Sequence, residues 1–280
     1  MTPPYDRLHL LADPAVRSAL STELGRAIEH HARIASTQVR ARALADGPDG
    51  PALVVADEQT EGHGRQGRPW IAPPGTALLA SWVLRPLPAD PALFALLAGV
   101  AVARALADLG VVGARVKWPN DVQLGGKKVA GALADAVTAP DGGALVLGIG
   151  LNAHQTTADL ADLAESATSL AIEGHSVDRL ALLARLCREL DRIARAPEER
   201  RAALEEWRSR ASMLGELVEV RSVGSPVLRG VDIHPADGVG RLIFGLFLHM
   251  ASIITHTSTT LFYTCSSSVQ EGKKPAPERR

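Results

Sequence analysis

Lys117-Trp118-Pro119-Asn120-Asp121-Val122-Gln123-Leu124-Gly125-Gly126-Lys127-Lys128-Val129-Ala130-Gly131 is the stretch on which the reading of the fold turns. Gly125-Gly126 suits a two-residue hairpin turn, whose central positions need positive φ. Val122–Leu124 and Lys127–Ala134 are therefore expected to pair as antiparallel strands, with a brief strand at Val116–Trp118 before them. Side chains alternate along a strand, so Lys127 and Lys128 point opposite ways, one toward a cleft and one toward water. Asn120 carries both donor and acceptor, which suits a nucleobase or a phosphate. Asp121 is a hard oxygen ligand able to hold Mg²⁺ beside phosphate oxygens. Gly131 leaves room for a ligand against the sheet. Singly, each residue fits a surface hairpin; cations, an amide and a carboxylate grouped on one hairpin point to a site.

Working outward, Ala52–Ala56 and Thr76–Leu84 read as apolar strands, the second covered on both faces. Ala92–Leu109 is an Ala/Leu-rich helix. Leu145–Asn152 is a strand whose glycines, Gly148 and Gly150, suggest close approach by a ligand or another backbone. Leu180, Leu183, Cys187, Leu190 and Ala194 recur at helical spacing, giving an amphipathic helix over Val177–Ala194. A charged helix follows from Glu198 to about Ala211. Near the N-terminus a helix is expected over Pro14–His31, and another up to Ala45, capped by Ser36 or Thr37.

Gly62-His63-Gly64-Arg65-Gln66-Gly67 matches the G-x-G-x-x-G pattern after a strand. A dinucleotide fingerprint requires the third glycine to open a helix. Pro69, Pro73 and Pro74 leave no room for one. The segment is instead a ligand-covering loop, in which glycines allow close backbone approach and Arg65 and Arg68 can fork onto a carboxylate or phosphate.

Composition sets outer bounds. The 280 residues, 46% hydrophobic and 22% charged with a net charge of -1, suit one large globular domain plus an appendage. Such a balance gives no general reason to expect nucleic acid or membrane as a partner. Two cysteines support neither a disulfide framework nor a zinc site. Cys187 falls among core positions. The N-terminus has no signal-peptide pattern, so a cytoplasmic location is expected.

Gly62-His63-Gly64-Arg65, the Lys117–Asp121 block, Lys128 eleven residues after Lys117, and Gly150-Leu151-Asn152 occur in that order. Together they resemble the catalytic domain of bacterial biotin–protein ligases over roughly residues 30–245. Ser36-Thr37-Gln38 stands where that family has Ser-Thr followed usually by Asn, and Gln59 precedes the loop as it does there. His63 replaces the usual first arginine of the loop. The resemblance implies an α+β fold, a mixed but mostly antiparallel sheet with flanking helices, followed by a small SH3-like barrel. It implies activation of biotin by ATP to biotinyl-AMP, then transfer to a lysine of a biotin carboxyl carrier domain. By the same resemblance, Ser36, Thr37, Gln38, Gln59, Gly62, His63, Gly64, Gly131 and Gly150 line the biotin site. Arg65 and Lys128 are the catalytic cations on carboxylate and phosphate. Arg68, Trp70, Lys117, Asn120 and Asn152 contact ATP, and Asp121 holds Mg²⁺. Residues 1–212 form the catalytic domain on this reading, 213–245 a partial barrel and 246–280 an atypical tail.

That ending departs from the family. Leu217–Ser222 and Val227–Ile233 read as strands of the small domain. No Asp, Glu, Lys or Arg then occurs between Leu242 and Gln270. The stretch Leu242–Tyr263 is long enough to span a membrane, yet its histidines and Ser/Thr cluster make it a poor span. A lipoate or octanoate ligase of the same superfamily and a biotin-binding module lacking transfer activity stand as alternatives. Thirty residues before the core are too few for a helix-turn-helix plus linker, so no DNA binding is expected.

Overall fold

The computed structural model describes residues 6–20, 27–47, 53–138 and 142–213, and the backbone of three further strands at 217–222, 228–232 and 263–266. The chain divides into two compact units, Met1–Ser212 and Met213–Arg280.

Among the described residues, the first unit has seven strands: β1 (Ile28–His31), β2 (Leu53–Ala56), β3 (Ala77–Leu84), β4 (Arg115–Lys117), β5 (Asp121–Leu124), β6 (Lys127–Val137) and β7 (Ala144–Asn152). They lie in the order β1-β2-β3-β7-β6-β5-β4. Only β1 and β2 pair in parallel; the other neighbours are antiparallel. Helices α1 (Pro14–Ala19), α2 (Thr37–Ala45), α3 (Leu93–Ala107), α4 (Arg179–Arg195) and α5 (Pro197–Arg210) accompany the sheet.

Every residue of β3 is buried, as its continuous apolar run requires. One face of the central sheet packs on α2, through Ala41 and Ala45 against Val54, Val83 and Val146. The α3 and α4 layer covers the opposite face, which carries Leu147, Ile149 and Trp82. Cys187 is a core residue of α4; burial pushes its thiol up to about 12, so it stays protonated. Gly125 and Gly126 both take positive φ, 57° and 81°, and close the β5–β6 hairpin.

The helix expected over Pro14–His31 is corrected. Helix α1 ends at Ala19, and Ile28–His31 is an edge strand paired with Leu53–Ala56. His30 and His31 carry no apolar alternation, so the strand is specified by its partner rather than by local pattern. His30 Nε2 bonds Asp57 Oδ2 at 3.0 Å, a contact the strand geometry makes available.

In the second unit β8 (Leu217–Ser222) pairs antiparallel with β9 (Leu228–Asp232) on one side and β10 (Tyr263–Ser266) on the other. Thus part of the unusual ending joins the small sheet. The stretch considered as a membrane span lies, apart from Tyr263, outside the described residues. Among the described residues, no helix is long and apolar enough to cross a membrane.

Candidate active site

Cross-strand register aligns two rows on the α2 face of the sheet. Asp121, Gly131, Gly150 and Leu79 form one row; Leu133, Gly148 and Ser81 form the next. Gly148 and Gly150, two residues apart on β7, share a face by strand parity, roughly 7 Å apart. With Gly131 they leave a furrow in the side-chain layer of the sheet, into which Gln38, Trp70 and Lys128 reach. A Cβ at Gly150 would lie 2.7 Å from Trp70 Cε2, whereas one at Gly131 would meet the flexible end of Lys128, 3.0 Å from its Nζ. At Gly148 a Cβ would collide with Gln38 Oε1.

Lys128 reaches this face through an irregularity. It stands three positions before Gly131, so plain alternation would put them on opposite sides. The β5–β6 register shifts between Val122 and Gln123, and Val129 is passed over in the pairing. This bulge re-aims Lys128. Its Nζ lies 2.7 Å from Asp121 Oδ1 and 5.5 Å from the Trp70 ring centroid. Lys127 turns away and bonds Ala164 O at 2.6 Å. The lysine backbone is also held: Lys128 N donates to Ser166 O and Thr168 N donates to Lys128 O, both at 2.9 Å. Nothing in the sequence pointed to Ser166–Thr168 in this role.

The segment between Asp57 and Thr76 carries Gln59, the glycine loop and Trp70. It contains a single 3₁₀ turn, Arg65–Gly67, with Gln66 at φ 62°, and no α-helix. The dinucleotide reading is thereby excluded. Gly64 N donates to Arg68 O and Trp70 N to Gly62 O, each at 2.8 Å, folding the loop into a small hairpin. That hairpin brings Arg65 Nη1 to 3.5 Å from Asn120 Oδ1. Burial lowers the Arg65 pKa, the Asp121 carboxylate opposes this, and Arg68 adds to the lowering. The guanidinium remains charged at neutral pH. Trp70 lies over Gly150 with its Nε1 buried and without a partner among the described residues. A buried orphan donor marks a place where a ligand or water belongs. His63 Nδ1 sits 3.2 Å from Glu61 O, and Arg68 is exposed.

A polar cluster closes the other end of the furrow. Ser36 caps α2 through Val39 N, so its hydroxyl serves the helix. Thr37 N donates to Gln59 Oε1 at 2.7 Å, and Thr37 Oγ1 lies 2.9 Å from the same oxygen. This leaves the Gln59 amide N–H groups to face outward, beside Gly62, whose missing Cβ makes room for Gln59 Nε2. Gln38 Nε2 donates to Asp135 Oδ2 at 2.9 Å and Val146 O at 3.2 Å. Its side chain is therefore committed within the protein. Ser81 and Asp135 belong to this cluster and went unnoticed in the sequence. Ser81 hides in the apolar run of β3, where one serine gives no signal.

Asn120 Nδ2 donates to Ala132 O at 2.7 Å, which leaves its Oδ1 toward Arg65. The Asn152 side chain donates to Thr168 O and accepts from Gln155 Nε2, both at 2.9 Å. It ties the end of β7 to the segment that holds Lys128. Lys117, at the end of β4, is half-buried and opposite Asp121 in the register. The furrow thus has a neutral hydrogen-bonding end at Thr37 and Gln59, and a cationic end at Arg65 and Lys128. Trp70 lies between them. Such a surface can hold an elongated acid by its polar head and bring its carboxylate to a phosphate.

Comparison with known proteins agrees with this geometry. Residues 31–152 match the biotin/lipoate A/B protein ligase family. A biotin–[acetyl-CoA-carboxylase] ligase of Paracoccus denitrificans is 37% identical over 230 residues, 76% of this chain and 91% of that protein. The bifunctional ligase/repressor BirA of Bacillus subtilis is 37% identical over 182 residues, 62% of this chain and 55% of that protein. The chain thus spans about half the length of the first curated relatives it matches. A biotin protein ligase from Aquifex aeolicus, solved in complex with biotin and ATP, superposes with a TM-score of 0.60 at 29% identity. It covers 73% of this chain and 86% of that one. The chain belongs to the biotin/lipoate A/B protein ligase family, in its biotin protein ligase branch.

Proposed function

We propose that this protein is an ATP-dependent ligase that activates biotin as biotinyl-5′-AMP and transfers it to a lysine of a biotin carboxyl carrier domain. The observation that carries the reading is the line of side chains gathered over Gly148 and Gly150, polar at Thr37 and Gln59 and cationic at Lys128 and Arg65. The P. denitrificans relative is by name a ligase acting on acetyl-CoA carboxylase, which supports the carrier as partner.

In the first step a carboxylate oxygen attacks the α-phosphorus of ATP. An acyl–phosphate bond forms, and the bond to the β-phosphate breaks to release pyrophosphate. No side-chain nucleophile is required. Lys128 and Arg65 neutralise charge on the pentacoordinate phosphorus and align the two anions, which would otherwise repel. In the second step the carrier amine attacks the acyl carbon, AMP leaves, and the amine proton passes to water. Ser36, Gln38 and Asn152 act by holding the site's frame, and Trp70, Arg68, Lys117 and Asn120 border the nucleotide.

Asp121 is the residue that would hold Mg²⁺. Among the described residues no group of three or more acidic, His or Cys side chains forms a ready-made metal cage. A lone carboxylate fits Mg²⁺, which keeps several waters and binds through one or two carboxylates plus substrate phosphates. Its chemistry there would be to offset charge on the departing pyrophosphate. The reaction calls for no nucleic acid or membrane, and a cytoplasmic location suits its carrier.

Pyrophosphate release with biotin and ATP, measured separately from transfer to a carrier domain, tests the reading step by step. Running lipoate and octanoate in the same assay separates the nearest rival, because their tails lack the N–H and carbonyl groups that Thr37 and Gln59 are placed to meet.

A further inference from the structure

Three short contacts run through the polar end of the furrow. Thr37 Oγ1 lies 2.9 Å from Gln59 Oε1 and 2.9 Å from Ser81 Oγ, and Ser81 Oγ lies 3.0 Å from Gln38 Oε1. Both amides have fixed orientations. Gln59 must turn its oxygen to Thr37 N, which can only donate, and Gln38 must turn its nitrogen to Val146 O, which can only accept. Thr37 and Ser81 supply one hydroxyl proton each, so one of the three contacts goes without a proton.

The arrangements are not equivalent. If Thr37 donates to Gln59 and Ser81 to Gln38, the two hydroxyl oxygens face each other at 2.9 Å with no proton between them. If Ser81 donates to Thr37, Gln38 Oε1 is left without a donor in a buried place, which is costly. If Thr37 donates to Ser81 and Ser81 to Gln38, every acceptor is served, because Gln59 Oε1 keeps the bond from Thr37 N. We propose that Ser81 and Gln38 act as positioning residues. Their chain draws the Thr37 hydroxyl proton inward and presents its oxygen as an acceptor to an N–H of the bound acid. Gln59, held by Thr37, presents N–H groups to a carbonyl of the same acid.

The inference rests on the biotin reading and deepens it. It assigns the selection of a cyclic-urea head over a hydrocarbon or disulfide tail to the direction of a hydrogen-bond chain. A site built to bond an N–H discriminates strongly against analogues lacking it.

The test uses steady-state pyrophosphate release by the full chain with biotin and ATP varied in turn. Ser81→Ala frees the Thr37 proton and leaves Gln38 Oε1 unserved. Gln38→Met removes the inner acceptor, so that Ser81 is free to turn its proton onto Thr37, release the Thr37 proton toward the ligand, and take one of the two lone pairs of that oxygen. Both variants are expected to raise the KM for biotin about tenfold, the effect of one hydrogen bond. The KM for ATP should stay within twofold, and Ser81→Cys should recover part of the loss through its weak S–H donor. An unchanged biotin KM in folded Ser81→Ala overturns the proposal, as does a parallel rise in both KM values. Should Ser81→Ala not fold, the same two results with Gln38→Met decide the matter. Failure of the wild-type protein to release pyrophosphate with biotin would instead sink the biotin reading itself.

Discussion

Replacing Gly150 by alanine puts one methyl group into the furrow. That methyl would stand 2.7 Å from Trp70 Cε2, 2.8 Å from Cζ2 and 3.1 Å from Cδ2. Carbon atoms settle at about 3.5–4.0 Å, so the indole must lift by about 1 Å. Overpacking of this kind costs about 1–3 kcal/mol, partly offset by about 0.5 kcal/mol from a stiffer unfolded chain. For a unit of this size that lowers Tm by only a few degrees, about 2–4 °C per kcal/mol, and the protein stays folded at 25 °C. The functional cost is larger, because a 1 Å misplacement of a substrate-positioning group can cost about 100-fold in rate. The expected outcome is a fall of about 100-fold in biotin-dependent pyrophosphate exchange with a near-native melting curve. The loss should couple to Trp70: combined with Trp70→Ala, the glycine change should add little further. Fully additive losses, or near-native exchange by Gly150→Ala, would refute the claim that Trp70 seated on Gly150 organises the site.

Other consequences are independent of that contact. Lys128→Ala should lower the adenylation rate on the order of 100-fold or more, as expected for loss of one charge-stabilising donor; single-turnover pyrophosphate release measures it. Asp6 is buried against Arg179, with bonds of 2.7 and 3.1 Å to the guanidinium. Burial acts to raise its pKa, but bonds from His154 and Arg179 outweigh burial and hold it down at about 2. Its stabilisation is therefore fully present above the ordinary aspartate range and is lost as pH falls through about 2. Urea midpoints should drop over that acid range in the wild type and change less in Asp6→Asn. Ser36→Ala should cost about 0.5 kcal/mol, the low end for a helix cap, because its bond to Val39 N is long at 3.4 Å. Chemical denaturation measures that loss.

Local pattern accounts for much of the first unit. The apolar run of β3, the glycine pair of the β5–β6 turn and the helical spacing from Leu180 to Leu190 each name their own structure. The glycines of β7 are legible as a pair on one face, since strand parity is a local property. Other features depend on which strands meet. Gly131 joins that face only through the register of β6 on β7, and Lys128 joins it only through the bulge at Val129. Alternation read along the sequence gives the wrong relation between those two residues. The parallel strand β1 escaped because Ile28-Glu29-His30-His31 has no pattern of its own. The pairing of Asp6 with Arg179 spans 173 positions and leaves no local trace.

The candidate site shows the same division. Residues with distinctive chemistry in distinctive order, from Lys117 to Asp121 and at Lys128, stand out in the sequence. Ser81, Asp135 and Ser166–Thr168 are ordinary residues in ordinary runs, and only their positions make them part of the site. Gln38 was recognisable as a departure from the family's usual Asn. Its longer side chain reaches Asp135 and Val146 O, which explains why Gly148 must be bare beneath it.

The most direct measurement of the central claim is pyrophosphate release by the full chain given ATP and one acid at a time. Release that saturates with biotin, and falls at least 100-fold with octanoate or lipoate at equal concentration, is the result expected from the Thr37–Gln59 end of the furrow. Equal release with all three acids, or none with biotin, would contradict it.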